Sequence, residues 1–384
     1  MRALAIPVSL ALCLAACSDT QAPTELVPPT TPANIEAASL NNAAVYWNSV
    51  ARSLVIKYAN NALFAIRGYA LVGVSQHNAA AAVQDRGVHA AISAASVVAL
   101  SYLFPAEQTA LEAQLQQYLA TTGSDDPNEG ANLGRAAANR AVTFAQTDRF
   151  FAPFTGTIPT GPGIWFSATP PVGATLGQAK TYFLRTQNQF RPIPHPAFGS
   201  PAFQAGLAEV RQISNTRTQQ QDSIAKFWNL PNGTYTPMGY WNEEAARLII
   251  ANGLNERRAA HLFALMHMVA YDGLVASHEA KYTYWLLRPT MADPAITLPI
   301  GLPNFPSYPS NHATVSGSSA VILGLEFPAE RARLAGLADQ AALSRVYGAI
   351  HYRFDGEAGL TLGRKIALWA KDRDVSLRKP FPLN

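Results

Sequence analysis

Apolar residues along this chain recur mostly at three- and four-residue spacing, the period of a helix that buries one face. On that period the sequence predicts helices over residues 35–60, 69–84, 90–103 and 106–121. A break at Asp126-Pro127-Asn128 is followed by another helix over 128–150. The pattern returns over 202–215, 217–229, 241–251 and 255–287, and again from about residues 312, 330 and 355. Few windows alternate with period two, so the expected fold class is all-α: helical bundles, two packed four-helix-type bundles with long Pro/Gly-rich connections. A faint echo, residues 70–78 laid over 264–272, fits either a duplicated bundle or chance between Ala-rich helices.

One stretch breaks the pattern. Residues 151–201 are rich in Pro and Gly, with Trp165, Phe166, Tyr182, Phe183 and Phe190 interleaved. A length of this kind without periodicity is more often functional than idle. It is read first as a clasp across two halves, and second as a wall of an active-site entrance.

Composition narrows the class. The chain has 384 residues, 48% hydrophobic and 14% charged, long enough for a large core. Its net charge of +4 comes without a Lys/Arg run or a basic-aromatic array, so no nucleic-acid partner is expected; an anionic substrate suits it better. At the N-terminus, Arg2 precedes an apolar run ending Leu14-Ala15-Ala16-Cys17, too short to span a membrane as a helix. The tetrad resembles a bacterial lipoprotein cleavage box. The expected organisation is therefore a signal peptide over 1–16, a lipidated Cys17 with a polar tether over 17–33, and a single domain over 34–384 whose catalytic half is about 200–384. Localisation follows: an exported bacterial lipoprotein on the periplasmic or cell-surface side, touching the membrane through its lipid anchor only. Cys13 and Cys17 are the only cysteines, so the mature domain would hold neither a disulfide nor a Cys-ligated metal.

Polar chemistry gathers in three runs of the C-terminal half. Lys281 and Arg288 lie seven residues apart, in line if both sit on one helix, on a face otherwise aromatic and apolar. Two such cations are costly unless an anion meets them, though snorkelling at a helix end is the plainer reading of that pair alone. Pro309-Ser310-Asn311-His312 follows a loop containing Phe305. Ser310 is a good N-cap, and a helix N-terminus seats anions through its free N–H groups and partial positive charge. The third run holds Arg345, His351 and Asp355. Taken as one helical stretch, it lets Asp355 accept an imidazole N–H and fix the tautomer of His351.

In this order the runs, Lys-x6-Arg-Pro, Pro-Ser-x-His and Ser-Arg-x5-His-x3-Asp, resemble the superfamily shared by vanadium-dependent haloperoxidases and type-2 phosphatidic acid phosphatases. The flanking Phe305-Pro-Ser-Tyr-Pro309 and Thr236-Pro-Met-Gly-Tyr-Trp-Asn242 are similar to bacterial haloperoxidase-type members. The resemblance implies that Lys281, Arg288 and Arg345 hold the oxygens of vanadate or phosphate, with the Ser310 hydroxyl and the Asn311 backbone N–H. It implies His312 as general acid-base, His351 as axial vanadium ligand or phosphorylated nucleophile, and Asp355 as its orienting partner. Two residues depart from the family: Asn311 stands where glycine is usual, and His278 where tryptophan is common. His278 is read first as a polar residue on the helix surface, and second, with Phe305, as part of a halide pocket.

The implied activity is halide oxidation by hydrogen peroxide, with a small organic substrate as acceptor. The alternatives are an acid phosphatase acting on a phosphoester through phosphohistidine, and a non-enzymatic surface lipoprotein that binds an oxyanion or a partner. A homodimer is left open.

Overall fold

The computed structural model describes residues 40–123 and 127–383. The expected leader, Cys17 and tether lie outside the described residues. Among these, thirteen α-helices and no strand occur. The N-terminal layer comprises α1 (Ala43–Lys57), α2 (Ala62–Ala82), α3 (Val88–Leu103), α4 (Gln108–Thr122) and α5 (Pro127–Gln146). After the Pro/Gly-rich stretch come α6 (Pro201–Thr216), α7 (Gln219–Phe227), α8 (Thr236–Ala251), α9 (Glu256–Tyr284) and the one-turn α10 (Pro289–Ala292). The chain closes with α11 (Asn311–Glu326), α12 (Arg331–Tyr347) and α13 (Arg353–Lys371).

Helix α9 is the axle. It is 29 residues long and almost entirely buried, as expected of a helix apolar on all sides. On one side it packs against α2, which holds α3 and α5; on the other it packs against α11, which holds α12 and α13. The two bundles expected from sequence therefore share α9, and one hydrophobic cluster runs from Ala43 to Phe381. The echoed segments face each other: a Cβ on Gly73 of α2 would lie 3.0 Å from the Ala264 Cα of α9. Two stretches, 85–103 and 256–284, are long and apolar enough to cross a membrane, and both are mostly buried in the protein.

Residues 151–201 act as the clasp. Asp272 of α9, buried, accepts the backbone N–H groups of Tyr182, Phe183 and Leu184 at 2.8, 2.7 and 3.1 Å. Burial, the largest influence, pushes the Asp272 carboxyl up to about 7 against these three donors. Arg191 pairs with Glu279, and Tyr284 and Tyr308 donate to the Pro192 and Ile193 carbonyls. The same stretch also supplies a wall residue, Val172, to the main cleft.

Helix limits differ from the sequence expectation where capping intervenes. Ala59 takes a positive φ of 46° and the Asn61 side chain accepts the Phe64 N–H, so α1 stops early and α2 starts at Ala62. Helix α9 stops at Tyr284 instead of reaching 287. Trp285 turns left-handed, its N–H bonded to the Lys281 carbonyl, while its own carbonyl accepts the Trp165 N–H at 2.6 Å.

Candidate active site

Lys281 is the last buried residue of α9, and Arg288 is not on that helix. Arg288 lies three residues beyond the left-handed Trp285, extended ahead of Pro289. The single-helix arrangement expected from sequence is thus incorrect, yet both cations reach the same place. Lys281 Nζ donates to the Pro306 and Ser307 carbonyls, each at 2.8 Å. Arg288 Nε donates to the Phe305 carbonyl at 3.0 Å, and Nη1 to the Ile350 carbonyl at 2.7 Å. The Phe305 ring lies 5.0 Å from Lys281 Nζ and 5.1 Å from the Arg288 guanidinium carbon. Arg345, from the last turn of α12, is buried as well.

These cations lack counter-charge. Lys281, Arg288 and Arg345 are three buried positive groups against one buried carboxylate, Asp355, an excess of two. Arg288 Nη2 and Arg345 Nε and Nη1 are buried donors without a partner. Isolated buried charge costs several kcal/mol per ion. A tetrahedral oxyanion is the chemistry that would satisfy such donors, so vanadate or phosphate fits this set. Burial pulls Arg345 down to about 9 and Arg288 to about 10, and holds Lys281 well below the ordinary lysine range. Burial disfavours the charged form of each, a cost that a bound anion would offset.

The histidines are set by their partners. His351 does not share a helix with Asp355: it precedes α13, after Ala349 at φ 57°, and Asp355 lies in the first turn of α13. The pair still forms, with Nδ1–H of His351 2.8 Å from Asp355 Oδ2. The same oxygen accepts the Ser307 hydroxyl at 2.5 Å and the Tyr352 N–H at 3.2 Å. Since Asp355 accepts the Nδ1–H hydrogen bond, Nε2 of His351 is unprotonated, and Arg288 Nη1 donates to it at 3.0 Å. Burial first, then Arg288 and Lys281, keep His351 well below its usual range, so it is neutral. Burial also raises the Asp355 carboxyl, opposed chiefly by the Ser307 hydrogen bond and by Lys281.

His312 stands opposite, in the first turn of α11. Its Nε2 is 3.0 Å from the Trp228 carbonyl, which can only accept, so Nε2 carries the proton and Nδ1 is the free base. Burial and the Arg345 charge keep it neutral. Ser310 caps α11 through Ala313 N–H, and its own hydroxyl proton is left to give. Close approach of α13 holds this turn in place: a Cβ on Gly359 would lie 2.5 Å from the Ser310 carbonyl oxygen.

Asn311 and His278 form a unit that the sequence did not disclose. His278 is wholly buried, not on the helix surface. Its Nδ1 donates to the Gly173 carbonyl at 2.9 Å, so Nε2 accepts from Asn311 Nδ2 at 3.0 Å, while Asn311 Oδ1 accepts the Ser277 hydroxyl at 2.6 Å. Asn311 thus lines the cleft with its amide already spoken for. Of the two expected halide-pocket residues, Phe305 lines the cleft and His278 lies behind Asn311, its ring centroid 5.4 Å from that of Phe305. Ser307, unassigned from sequence, belongs to the site through Asp355.

The cleft, about 650 Å³, opens onto Asn311, His312, Arg345 and His351. Lys281, Arg288, Ser310 and Asp355 form the layer beneath. The arrangement places a lone pair on one side of an oxyanion seat, a base on another, and N–H donors around it.

Residues 261–373 match the PAP2 superfamily. No curated protein matches the chain. Among solved structures, the fold is similar to the first bacterial vanadium-dependent iodoperoxidase, at 21% identity and a TM-score of 0.75, covering 85% of this chain and 95% of that one. Holo- and apo-type bacterial vanadium-dependent chloroperoxidases are similar at 14% identity, with TM-scores of 0.66 and 0.67. They cover 82% and 80% of this chain and 92% of each of theirs. The segment that carries the seat thus matches the PAP2 superfamily, and the chain shares its all-α fold with bacterial vanadium-dependent haloperoxidases.

Proposed function

We propose that this protein is a vanadate-dependent haloperoxidase that oxidises halide with hydrogen peroxide. The carrying observation is the set of partnerless buried donors, Arg288 Nη2 and Arg345 Nε and Nη1, grouped with the unprotonated Nε2 of His351. Vanadate, when bound, supplies activation of peroxide toward halide. The protein's part would be to hold it: Lys281, Arg288, Arg345 and Ser310 would offer donors and His351 Nε2 its lone pair, while Asp355 with Ser307 fixes the imidazole. His312 Nδ1 takes or returns a proton at the cleft side. The similarity to haloperoxidase folds over four-fifths of the chain or more supports this reading over a module confined to the seat.

A phosphatase has one observation in its favour: a neutral His351 with an unprotonated Nε2 is also the form a nucleophile requires. One set of assays on purified protein separates the two. Peroxide-dependent halide oxidation that requires added vanadate supports the proposal; phosphoester hydrolysis without halide oxidation replaces it. His351→Ala should abolish turnover while circular dichroism and thermal midpoint stay near wild type. Retained turnover in that variant would remove His351 from its role. Export and lipidation at Cys17 form part of the same proposal, checked by the mass of the mature N-terminus.

A further inference from the structure

The cleft is far larger than its anion. At about 650 Å³ it lies within the roughly 300–1,000 Å³ that holds a whole drug-sized molecule, whereas the seat needs room for one tetrahedral ion. The surplus is walled by Leu63 and Ile66 from the start of α2, Val172 from the clasp, and Leu230, Leu302 and Ile350. Among the described lining residues there is no carboxylate and no lysine, and Arg345, at the seat, is the one arginine.

The polar part of the wall is side-chain amide, and much of it is engaged elsewhere. Asn311 is tied to Ser277 and His278. Asn304 donates to Thr169 and Pro170 and accepts from Ser167, binding the clasp to the 301–305 loop. Asn61 caps α2. A sugar phosphate or nucleotide would need a second cation or a row of free hydrogen-bonding groups, and an amine would need a carboxylate. Among the described residues no second cation and no carboxylate line this cleft, and Asn229 and Asn232 are the two lining amides not tied into the fold. An apolar group, by contrast, gains from every wall it covers.

We propose that the cleft binds a neutral, apolar organic group, an aryl ring or a branched hydrocarbon, beside the seated oxyanion. This rests on the oxyanion reading for the seat alone; the apolar wall serves an organic halogen acceptor and the alcohol part of a phosphomonoester equally.

The test is calorimetric titration of the vanadate-free protein with inorganic phosphate, methylphosphonate and phenylphosphonate. Phenylphosphonate should bind at least tenfold more tightly than methylphosphonate. In Leu63→Asn/Leu302→Asn, where Leu63 is half-buried and Leu302 exposed, that ratio should fall toward one while inorganic phosphate binds as in wild type. Phosphate that fails to bind defeats the seat reading. Phosphate that binds, with the two phosphonates within threefold of each other in wild type, defeats the cleft proposal and leaves the seat standing. Two activity arms then identify the source: hydrolysis of phenyl phosphate over methyl phosphate marks an ester, whereas isomer-selective halogenation of a phenol marks a bound acceptor.

Discussion

Arg345 offers a sharp test because its effects on stability and on binding should have opposite signs. Two of its nitrogens are buried without partners, and burial with the Arg288 charge pulls it down to about 9. That is a change of more than a thousandfold in proton affinity, and at about 1.4 kcal/mol per tenfold it sets on the order of 4–5 kcal/mol against the charged form. Replacing it by methionine removes this penalty and keeps an unbranched apolar stem in the same channel. Exchanging buried charge for well-packed apolar groups typically gains about 1–4 kcal/mol. Arg345→Met should therefore raise the thermal midpoint of protein free of phosphate and vanadate by several degrees. Phosphate at about a hundred times its Kd should add roughly 2.7 kcal/mol to the wild type and little to the variant. Losing one partner of a buried, hydrogen-bonded charge pair costs about 2–5 kcal/mol, or at least thirtyfold in affinity. Differential scanning calorimetry with and without phosphate reads both signs at once. A variant that melts below wild type without phosphate, or that keeps the phosphate increment, refutes the idea that Arg345 is held uncompensated for an anion.

Three further outcomes are expected. Ser307→Ala removes a 2.5 Å hydrogen bond to a buried carboxylate, a contact of the kind worth about 1.5–3 kcal/mol; kcat should fall tenfold or more with phosphate affinity within threefold, and the reverse split would place Ser307 on the anion instead. Anion affinity should decline as pH rises past about 9. Arg345 and then Arg288 lose protons in the free site, and binding, which restores their ordinary proton affinity, must take those protons up, so titrations at pH 8 and 10 that agree would contradict the reading. Asp272→Asn turns an amide N–H₂ toward backbone N–H donors that now meet a carboxylate; protease cleavage within 151–201 should speed up, and an unchanged digestion rate would show that the clasp is held elsewhere.

The site was legible in sequence to the extent that residue type and order determine it. Lys281, Arg288, His312, Arg345, His351 and Asp355 do converge, as the resemblance of their ordered runs to the superfamily implied, although Arg288 and His351 lie off the long helices. What spacing could not show was how they get there. Arg288 reaches the seat off the end of a helix that Trp285 closes left-handed, and Trp285 is held by Trp165, 120 residues upstream. His351 and Asp355 pair across a helix start, so the four-residue spacing succeeded without the helical geometry that motivated it. His278 looked like a surface residue because nothing local reveals that Gly173 will lie over it: a Cβ at Gly173 would fall 2.7 Å from the imidazole. Such contacts join segments about a hundred residues apart, and no periodicity encodes them.

Those distant contacts meet on α9, and this explains why a buried apolar helix carries Asp272, His278 and Lys281 along its length. Each has one task, and each engages a different stretch of irregular backbone: residues 182–184, Gly173, and the carbonyls of Pro306 and Ser307. A buried polar group without such a partner would cost about 1–3 kcal/mol, so all three bonds are satisfied only in one register of clasp and loop against the helix. That register fixes the Phe305–Ser307 carbonyls, which orient Lys281 and Arg288, and the Asn311 turn that His278 reaches. The oxyanion seat is therefore positioned from α9 outward, and the irregular half of the chain is as much a part of its geometry as the helices that supply its charges.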